Sequence, residues 1–255
     1  MFRLTREVRF AINHTPDDQL LGAPSNSYAG FPSLNGFGQF LRLQVTLEGN
    51  LDPSSNYLLN IKEIDAQVRS RIVGAGPDPL AVSRSFELLK NAFPATTLRE
   101  VTLYLSPFLS VSQLASEYPM HTRLSQKFEF SASHRLHNPK LSDEDNRKTY
   151  GKCNNPNGHG HNYEVQVTLR GKPNTSGLLV NVPAFEKIVK EHAIDLLDHK
   201  SLNDDVPQFY ELIPTVENIA MIIYHMLKTR FTALGADLAA VTVWETPKTW
   251  CEYSE

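Results

Sequence analysis

The chain has 255 residues, a formal net charge of −3 and 41% hydrophobic residues, which is typical of one large or two small globular domains. This net charge does not suggest nucleic acid or an anionic membrane as a global partner, and no apolar run is long enough to span a bilayer. Only two cysteines occur, Cys153 and Cys251, and the first residues lack the apolar core of a signal peptide, so we expect a cytoplasmic protein without a disulfide framework.

Alternating apolar and polar residues predict strands in the first half at residues 8–14, 36–49 and 101–107. Each segment has a counterpart in the second half, at residues 128–134, 158–171 and 241–247. Leu59-Asn60-Ile61 likewise matches Val180-Asn181-Val182. This repeat predicts two units, each with the order strand, strand, helix, helix, strand, strand, connected at residues 108–121.

Three histidines of the second half are candidate metal ligands. His134 ends an alternating strand on its apolar face, and His159 and His161 lie two residues apart at the start of another, also towards its apolar face. If the two strands pair, the three imidazoles converge, and three protein ligands with an open fourth position are typical of catalytic zinc. The alternative is ordinary core or loop histidines, which is the better interpretation of His134 taken alone.

The segment between these strands carries a thiol and several cations. Asn155-Pro156-Asn157-Gly158 predicts a turn, so Cys153 lies on a loop that can fold back over the histidines; the alternative is a buried, inert thiol. Five cations that could bind a polyphosphate precede the turn: Arg135, Lys140, Arg147, Lys148 and Lys152. A solvated loop paired with Asp143, Glu144 and Asp145 is the alternative. Residues 15–35 of the first half contain no Lys or Arg, and this contrast favours phosphate.

Two helices and a strand follow. Pro183 suits a first helical turn, after which Phe185, Val189, His192 and Leu196 recur at helical spacing. Thr215 is a good N-cap with Glu217 in the first turn, ahead of a buried stripe: Ile219, Ile222, Ile223, Met226 and Phe231. Residues 239–244 predict the last long strand, and Glu245 shares its apolar face.

The first half keeps the strand pattern but not the chemistry. His14 stands opposite His134, whereas Phe37 and Gln39 replace the other two histidines. No cysteine precedes Cys153, and Leu105 stands where the second half has Glu245. We therefore expect the first half to be a degenerate copy kept for structure.

Five motifs of the second half, in order between about residues 124 and 253, resemble the 6-pyruvoyltetrahydropterin synthase family. They are Phe130-Ser-Ala-Ser-His134-Arg-Leu, Cys153-Asn-Asn-Pro-Asn-Gly-His159-Gly-His161-Asn-Tyr163, Leu197-Asp198-His199-Lys200-Ser-Leu-Asn203, Thr215-Val-Glu217-Asn218 and Val243-Trp-Glu245-Thr246. The wider family includes 6-carboxytetrahydropterin synthase of queuosine biosynthesis, which typically has a shorter gap between the cysteine and the His-Gly-His motif. The five residues between Cys153 and His159 favour the pyruvoyl type.

The resemblance implies an α+β fold of two tandem T-fold units, each a four-stranded antiparallel sheet with two helices on one face. Residues 1–120 would form the degenerate domain and residues 121–255 the catalytic domain. Family members close barrels from three units, stack two such rings and complete each site across subunits. We therefore expect a homotrimer whose pseudo-hexameric double ring places second halves beside one another.

The resemblance also implies a zinc-dependent lyase that eliminates triphosphate from 7,8-dihydroneopterin triphosphate and yields 6-pyruvoyltetrahydropterin, for tetrahydrobiopterin biosynthesis. His134, His159 and His161 would hold Zn²⁺, Cys153 would be the general base and Asp198 and His199 a proton relay. Glu245 would anchor the pterin ring. The remaining substrate contacts would come from Thr215, Glu217, Lys152 and Arg135, and Mg²⁺ could accompany the triphosphate.

Three alternatives stay open. One is the carboxy-type lyase on the same substrate. Another is a non-catalytic scaffold that binds pterin or zinc, although Cys153, Asp198, His199 and Glu245 are all present, whereas the first half has lost its equivalents. The third is a structural zinc module, which would need Cys153 as its fourth ligand.

Overall fold

The computed structural model describes residues 1–13, 30–32, 34, 36–73, 81–174 and 177–255. The chain divides into two units, residues 1–124 with 171–179, and residues 125–170 with 180–255. His14, which the sequence aligns with His134, lies outside the described residues. Among those described, no helix has both the length and the apolar character needed to cross a membrane.

The first unit contains a four-stranded antiparallel sheet and two helices. In chain order they are β1 (Phe2–Ile12), β2 (Gln39–Gly49), α1 (Ile61–Arg71), α2 (Val82–Leu89), β3 (Thr96–Tyr104) and β4 (Leu109–Leu114), with the strands adjacent in that order. Alternate residues of β2, from Leu41 to Leu47, are fully buried. The Asn60 side chain caps α1 by accepting a hydrogen bond from the Lys62 N–H.

The second unit begins with the strands that carry the histidines. It contains β5 (Thr122–His134), α3 (Asp143–Tyr150), a 3₁₀ turn (Gly151–Asn154), β6 (His159–Gly171), α4 (Val182–Val189), a π turn (Lys190–Ile194), α5 (Asp195–Leu197), β7 (Lys200–Ser201), α6 (Leu202–Asp205), α7 (Val216–Leu227), β8 (Ala236–Thr246) and β9 (Thr249–Tyr253). Its sheet runs β5-β6-β8-β9. The mixed α and β architecture with an antiparallel sheet is confirmed.

One feature of the sheets departs from the prediction. The short β7 adds a parallel pairing to β5, with Ala132 opposite Lys200, so the second sheet is not a plain four-stranded antiparallel one. Among the described residues, β1 pairs only with β2 and β9 only with β8, so neither unit closes its sheet into a barrel alone. Open edges of this kind are paired, covered or blunted by charged residues and bulges in folded proteins.

The predicted helix after Pro183 is present, but the face that we expected to be buried is wrong beyond Val189. Leu196 is 48% exposed, whereas Ala193 and Leu197 are buried. The cause is the π turn, whose wider i→i+5 bonding shifts the buried face by about one residue. In α7 the predicted stripe holds at Ile219 and Ile223, while Ile222 and Met226 are only half-buried.

Candidate active site

The three predicted histidines converge on one point. His134 ends β5, and His159 and His161 open β6, where the two-residue period of a strand places both on one face. The Nε2 atoms of His134 and His159 are 3.1 Å apart, and one ring nitrogen from each of the three residues lies within 4.8 Å of the others. Among the described residues these three side chains form a group that could hold a metal ion.

The tautomer of His134 is set by a residue far along the chain. Its Nδ1 lies 2.7 Å from the carbonyl oxygen of Pro214, which can only accept, so Nδ1 donates and Nε2 keeps its lone pair. Burial lowers the pKa of His134 to about 4, and the neighbouring imidazoles act in the same direction. Burial and then His161 also lower the pKa of His159. Neutral imidazoles are the state that ligates metals.

The donor set also fits a metal because it leaves buried nitrogens unsatisfied. Within the described part of the chain, Nδ1 of His159 and Nε2 of His161 are buried without a hydrogen-bond partner. Such groups cost free energy unless a proton donor, a water or a cation satisfies them. Three neutral imidazoles suit zinc and related transition metals and leave further coordination positions for a substrate.

Glu245 lies beside this group. It lies at a register shift in the pairing of β8 with β9, and its Oε1 is 3.4 Å from Nε2 of His134 and 3.7 Å from Nε2 of His161. It also lines a cavity of about 470 Å³ with Asn162, Glu164, Trp244, Thr246 and Pro247. The carboxylate therefore faces both the histidines and a pocket with an indole in its wall.

Cys153 lies in the 3₁₀ turn, half-buried and with a free thiol. Its carbonyl oxygen accepts a hydrogen bond of 2.9 Å from the Leu136 N–H, which ties the turn to the end of β5. Burial raises the pKa of Tyr163, and Glu245 and then Cys153 add to this effect. Cys153 is therefore in electrostatic reach of the tyrosine that contacts His134, without belonging to the three-histidine group.

Asp198 and His199 form a hydrogen-bonded pair on the neighbouring surface. Asp198 Oδ2 lies 2.9 Å from His199 Nδ1, and Asp198 Oδ1 accepts from the Ser131 N–H at 2.8 Å. These two contacts, Ser131 first, lower the pKa of Asp198. The side chain of His199 is 82% exposed, and it borders a shallow cavity of about 510 Å³ that His161 and Asn162 also line.

The other predicted substrate contacts are placed as follows. Thr215 caps α7 by accepting from the Asn218 N–H at 3.4 Å, and Glu217 is exposed in the first turn. Lys152 is exposed beside Cys153. The guanidinium of Arg135, in contrast, is engaged by Asn154, whose side-chain oxygen accepts from Nη2 at 2.9 Å.

Three residues near the site were missed by the sequence interpretation. Tyr163 lies two residues after His161 on the same face, and its hydroxyl is 3.3 Å from Nδ1 of His134; this spacing could have indicated it. The alternation over residues 239–244 indicates Trp244 only as a strand residue. The carbonyl of Pro214 has no sequence signal, because the backbone of any residue offers the same acceptor.

Comparison with known proteins places the second half in a described group. Residues 123–255 match the family model for 6-pyruvoyl tetrahydropterin synthase. The 6-pyruvoyl tetrahydrobiopterin synthase of Homo sapiens is 45% identical over 125 residues, which cover 49% of this chain and 85% of that protein. The 6-carboxy-5,6,7,8-tetrahydropterin synthase of Haemophilus influenzae is 27% identical over 154 residues, which cover 52% of this chain and 99% of that protein. A Caenorhabditis elegans 6-pyruvoyl tetrahydropterin synthase structure aligns with 38% identity and a TM-score of 0.49, over 53% of this chain and 96% of that chain.

Proposed function

The chain belongs to the 6-pyruvoyl tetrahydropterin synthase family, and we propose that it is a zinc-dependent lyase acting on 7,8-dihydroneopterin triphosphate. The products would be 6-pyruvoyltetrahydropterin and free triphosphate. The observation that carries the proposal is the convergence of His134, His159 and His161 beside the Glu245 carboxylate. A metal group and a ring-binding acid in one place suit a substrate that has hydroxyls next to a pterin.

The three histidines would hold Zn²⁺, which supplies Lewis-acid polarisation of substrate oxygens when bound. Glu245 accepts hydrogen bonds from the adjacent ring N–H and amino group of the pterin, a bidentate arrangement that fixes the ring. Trp244 and Asn162 line the same pocket. Thr215 and Glu217, next to Pro214, contribute further substrate contacts.

Proton transfer is assigned to Cys153, with Asp198 and His199 as a relay. The sulfur of Cys153 acts as the general base and takes a proton from the side chain of the substrate. Asp198 holds the His199 imidazole through Nδ1, which leaves Nε2 to exchange protons. Elimination of triphosphate follows, and the exposed Lys152 ammonium attracts the leaving polyphosphate, with Mg²⁺ as an accompanying ion.

The carboxy-type lyase is the second candidate, because the Haemophilus influenzae protein also matches. Purified, zinc-loaded protein incubated with 7,8-dihydroneopterin triphosphate tests both, with products identified by mass spectrometry and triphosphate measured separately. We expect 6-pyruvoyltetrahydropterin with stoichiometric triphosphate. A 6-carboxy product would favour the alternative, and tight pterin binding without turnover would favour a scaffold.

We also propose that residues 1–120 form a degenerate T-fold domain and residues 121–255 the catalytic one. Contacts at matched positions of the two halves support this. In each half, two hydroxyl groups 2.9 Å apart join the first two strands. An ion pair joins the same two strands, with the acidic and basic residues on opposite strands in the two halves. In each half, a basic side chain of this ion pair also lies over an aromatic ring of a later strand. The matched contacts are Thr5–Thr46 with Ser125–Thr168, Glu7–Arg42 with Lys127–Glu164, and Arg42–Tyr104 with Lys127–Trp244.

The proposed particle is a homotrimer with a pseudo-hexameric double ring. His199 is 82% exposed, so its ring is available to another copy of the chain. The first half has neither a cysteine nor an Asp-His pair to complete a site. Second halves must therefore neighbour one another, and the open edges of β1 and β9 offer the hydrogen-bonding groups for strand pairing between copies.

A further inference from the structure

Arg135 directly follows the metal-ligand candidate His134, yet its side chain turns to the loop that carries the thiol. Its Nη2 donates to Asn154 Oδ1 at 2.9 Å and its Nε to the Asn154 carbonyl oxygen at 3.4 Å. Asn154 is only 8% exposed and is the neighbour of Cys153. With the Leu136 bond to the Cys153 carbonyl, three hydrogen bonds join the end of β5 to the 3₁₀ turn.

The backbone of Arg135 is held from the opposite side. Its N–H donates to Asn203 Oδ1 at 2.7 Å, and its carbonyl accepts from Asn203 Nδ2 at 3.0 Å. Asn203 lies four residues after His199 and directly follows β7, the short strand that pairs with β5. The same segment is anchored upstream by the His199 N–H, which donates to the Ser131 carbonyl at 2.6 Å. Arg135 is thus the point at which the Cys153 turn and the Asp198–His199 segment are both attached.

We propose that Arg135 is a positioning residue, which holds Cys153 in register with the histidine group, rather than a triphosphate ligand. The significance of Cys153 in this inference rests on the proposed function. A guanidinium donates from a rigid planar fork, so it can engage the side chain and the carbonyl of Asn154 together; a lysine ammonium is a point charge and cannot reproduce that geometry. A phosphate bound bidentately at the Nε and Nη2 edge of Arg135 would displace both hydrogen bonds to Asn154.

The test compares Arg135→Lys, Asn154→Ala and the double variant, with Arg230→Lys as a matched control at an exposed, remote arginine. The first readout is the rate at which iodoacetamide alkylates Cys153, measured by peptide mass spectrometry against Cys251 in the same molecule. We expect Arg135→Lys and Asn154→Ala each to raise this ratio at least about threefold, because a released turn exposes the thiol. The control should leave it unchanged.

Kinetics supply the second readout. We expect kcat to fall about 10–100-fold in either single variant, with KM within about twofold, because small misplacements of a reacting group reduce turnover rather than binding. The kcat of the double variant should be no lower than that of the less active single variant, since both substitutions break the same contact. The inference would be overturned if Arg135→Lys raised KM for the triphosphate substrate without changing the alkylation ratio, and if Asn154→Ala changed neither the alkylation ratio nor kcat.

The two readouts separate this inference from the proposed function. If the wild-type protein has no lyase activity, the alkylation ratio still decides whether Arg135 positions Cys153. If Arg135→Lys does not fold, Asn154→Ser decides: a raised ratio supports the contact, and a ratio equal to that of the wild type contradicts it.

Discussion

Nδ1 of His134 lies 2.7 Å from the carbonyl oxygen of Pro214, the residue before the N-cap of α7. A carbonyl that accepts from one ring nitrogen orients the imidazole and leaves the other nitrogen free for a metal. The start of α7 therefore organises the deepest of the three metal-ligand candidates, 80 residues away in the chain.

We expect one zinc ion per chain, bound only in the second unit. His159→Ala/His161→Ala removes two of the three imidazoles and should abolish stoichiometric binding, as measured by elemental analysis after dialysis. His225→Ala, which removes an exposed histidine of α7, is the control. Two ions per chain, or full zinc retention in the double variant, would refute this assignment.

Replacing Cys153 with alanine should lower kcat by about 10²–10⁴-fold, the usual contribution of a general base, while zinc and pterin still bind. Turnover, zinc content and ligand binding are measured on one preparation, and Cys251→Ala provides the matched loss of a thiol. Loss of zinc in the Cys153 variant would instead identify the thiolate as a metal ligand.

Glu245→Leu introduces the residue that the first half carries at the matched position, Leu105. It removes the acceptor proposed for the pterin ring, and losing a hydrogen bond to a charged group costs about 1.5–3 kcal/mol. Loss of one such bond lowers kcat/KM by about 10–150-fold, and Glu245 is proposed to accept two, so we expect a fall of at least about 10-fold with zinc content unchanged. An unaltered kcat/KM would exclude Glu245 as the pterin anchor.

The metal-free protein should lose stability between about pH 6.5 and pH 4 through His134, whose pKa burial lowers from 6.5 to about 4. In this window the unfolded chain binds a proton that the folded chain does not, so the free energy of unfolding decreases as the pH falls. The contribution is at most about 3 kcal/mol. Urea unfolding at several pH values gives the free energy of unfolding as a function of pH for the wild type and for His134→Gln. The wild type should have the steeper dependence on pH in this window, and an identical dependence would contradict the prediction.

Mixing inactive Cys153→Ala chains with inactive His199→Ala chains should restore part of the activity. If each site combines Cys153 of one chain with His199 of another, some sites in mixed trimers receive both intact residues. The measurement is turnover after verified subunit exchange, alongside native mass spectrometry, which should give a multiple of three chains. Failure to regain activity, or another particle mass, would argue for sites completed within one chain.

Local patterns in the sequence determined much of the candidate site, because they depend on backbone geometry alone. The two-residue period of a strand places His159 and His161 on one face, and the Thr215 side-chain oxygen caps the free N–H groups at the start of α7. The same local rules predict the helix after Pro183.

Tertiary structure decided what depends on groups far apart in the chain. The bond from His134 to Pro214, the attachment of Arg135 to Asn154 and Asn203, and the approach of Glu245 to the histidines arise only when separate elements pack together. Even the buried face of the helix before Asp198 shifts at a π turn that no residue type signals. Periodicity specifies which face a side chain occupies, whereas packing and hydrogen-bond satisfaction select the partner it meets there.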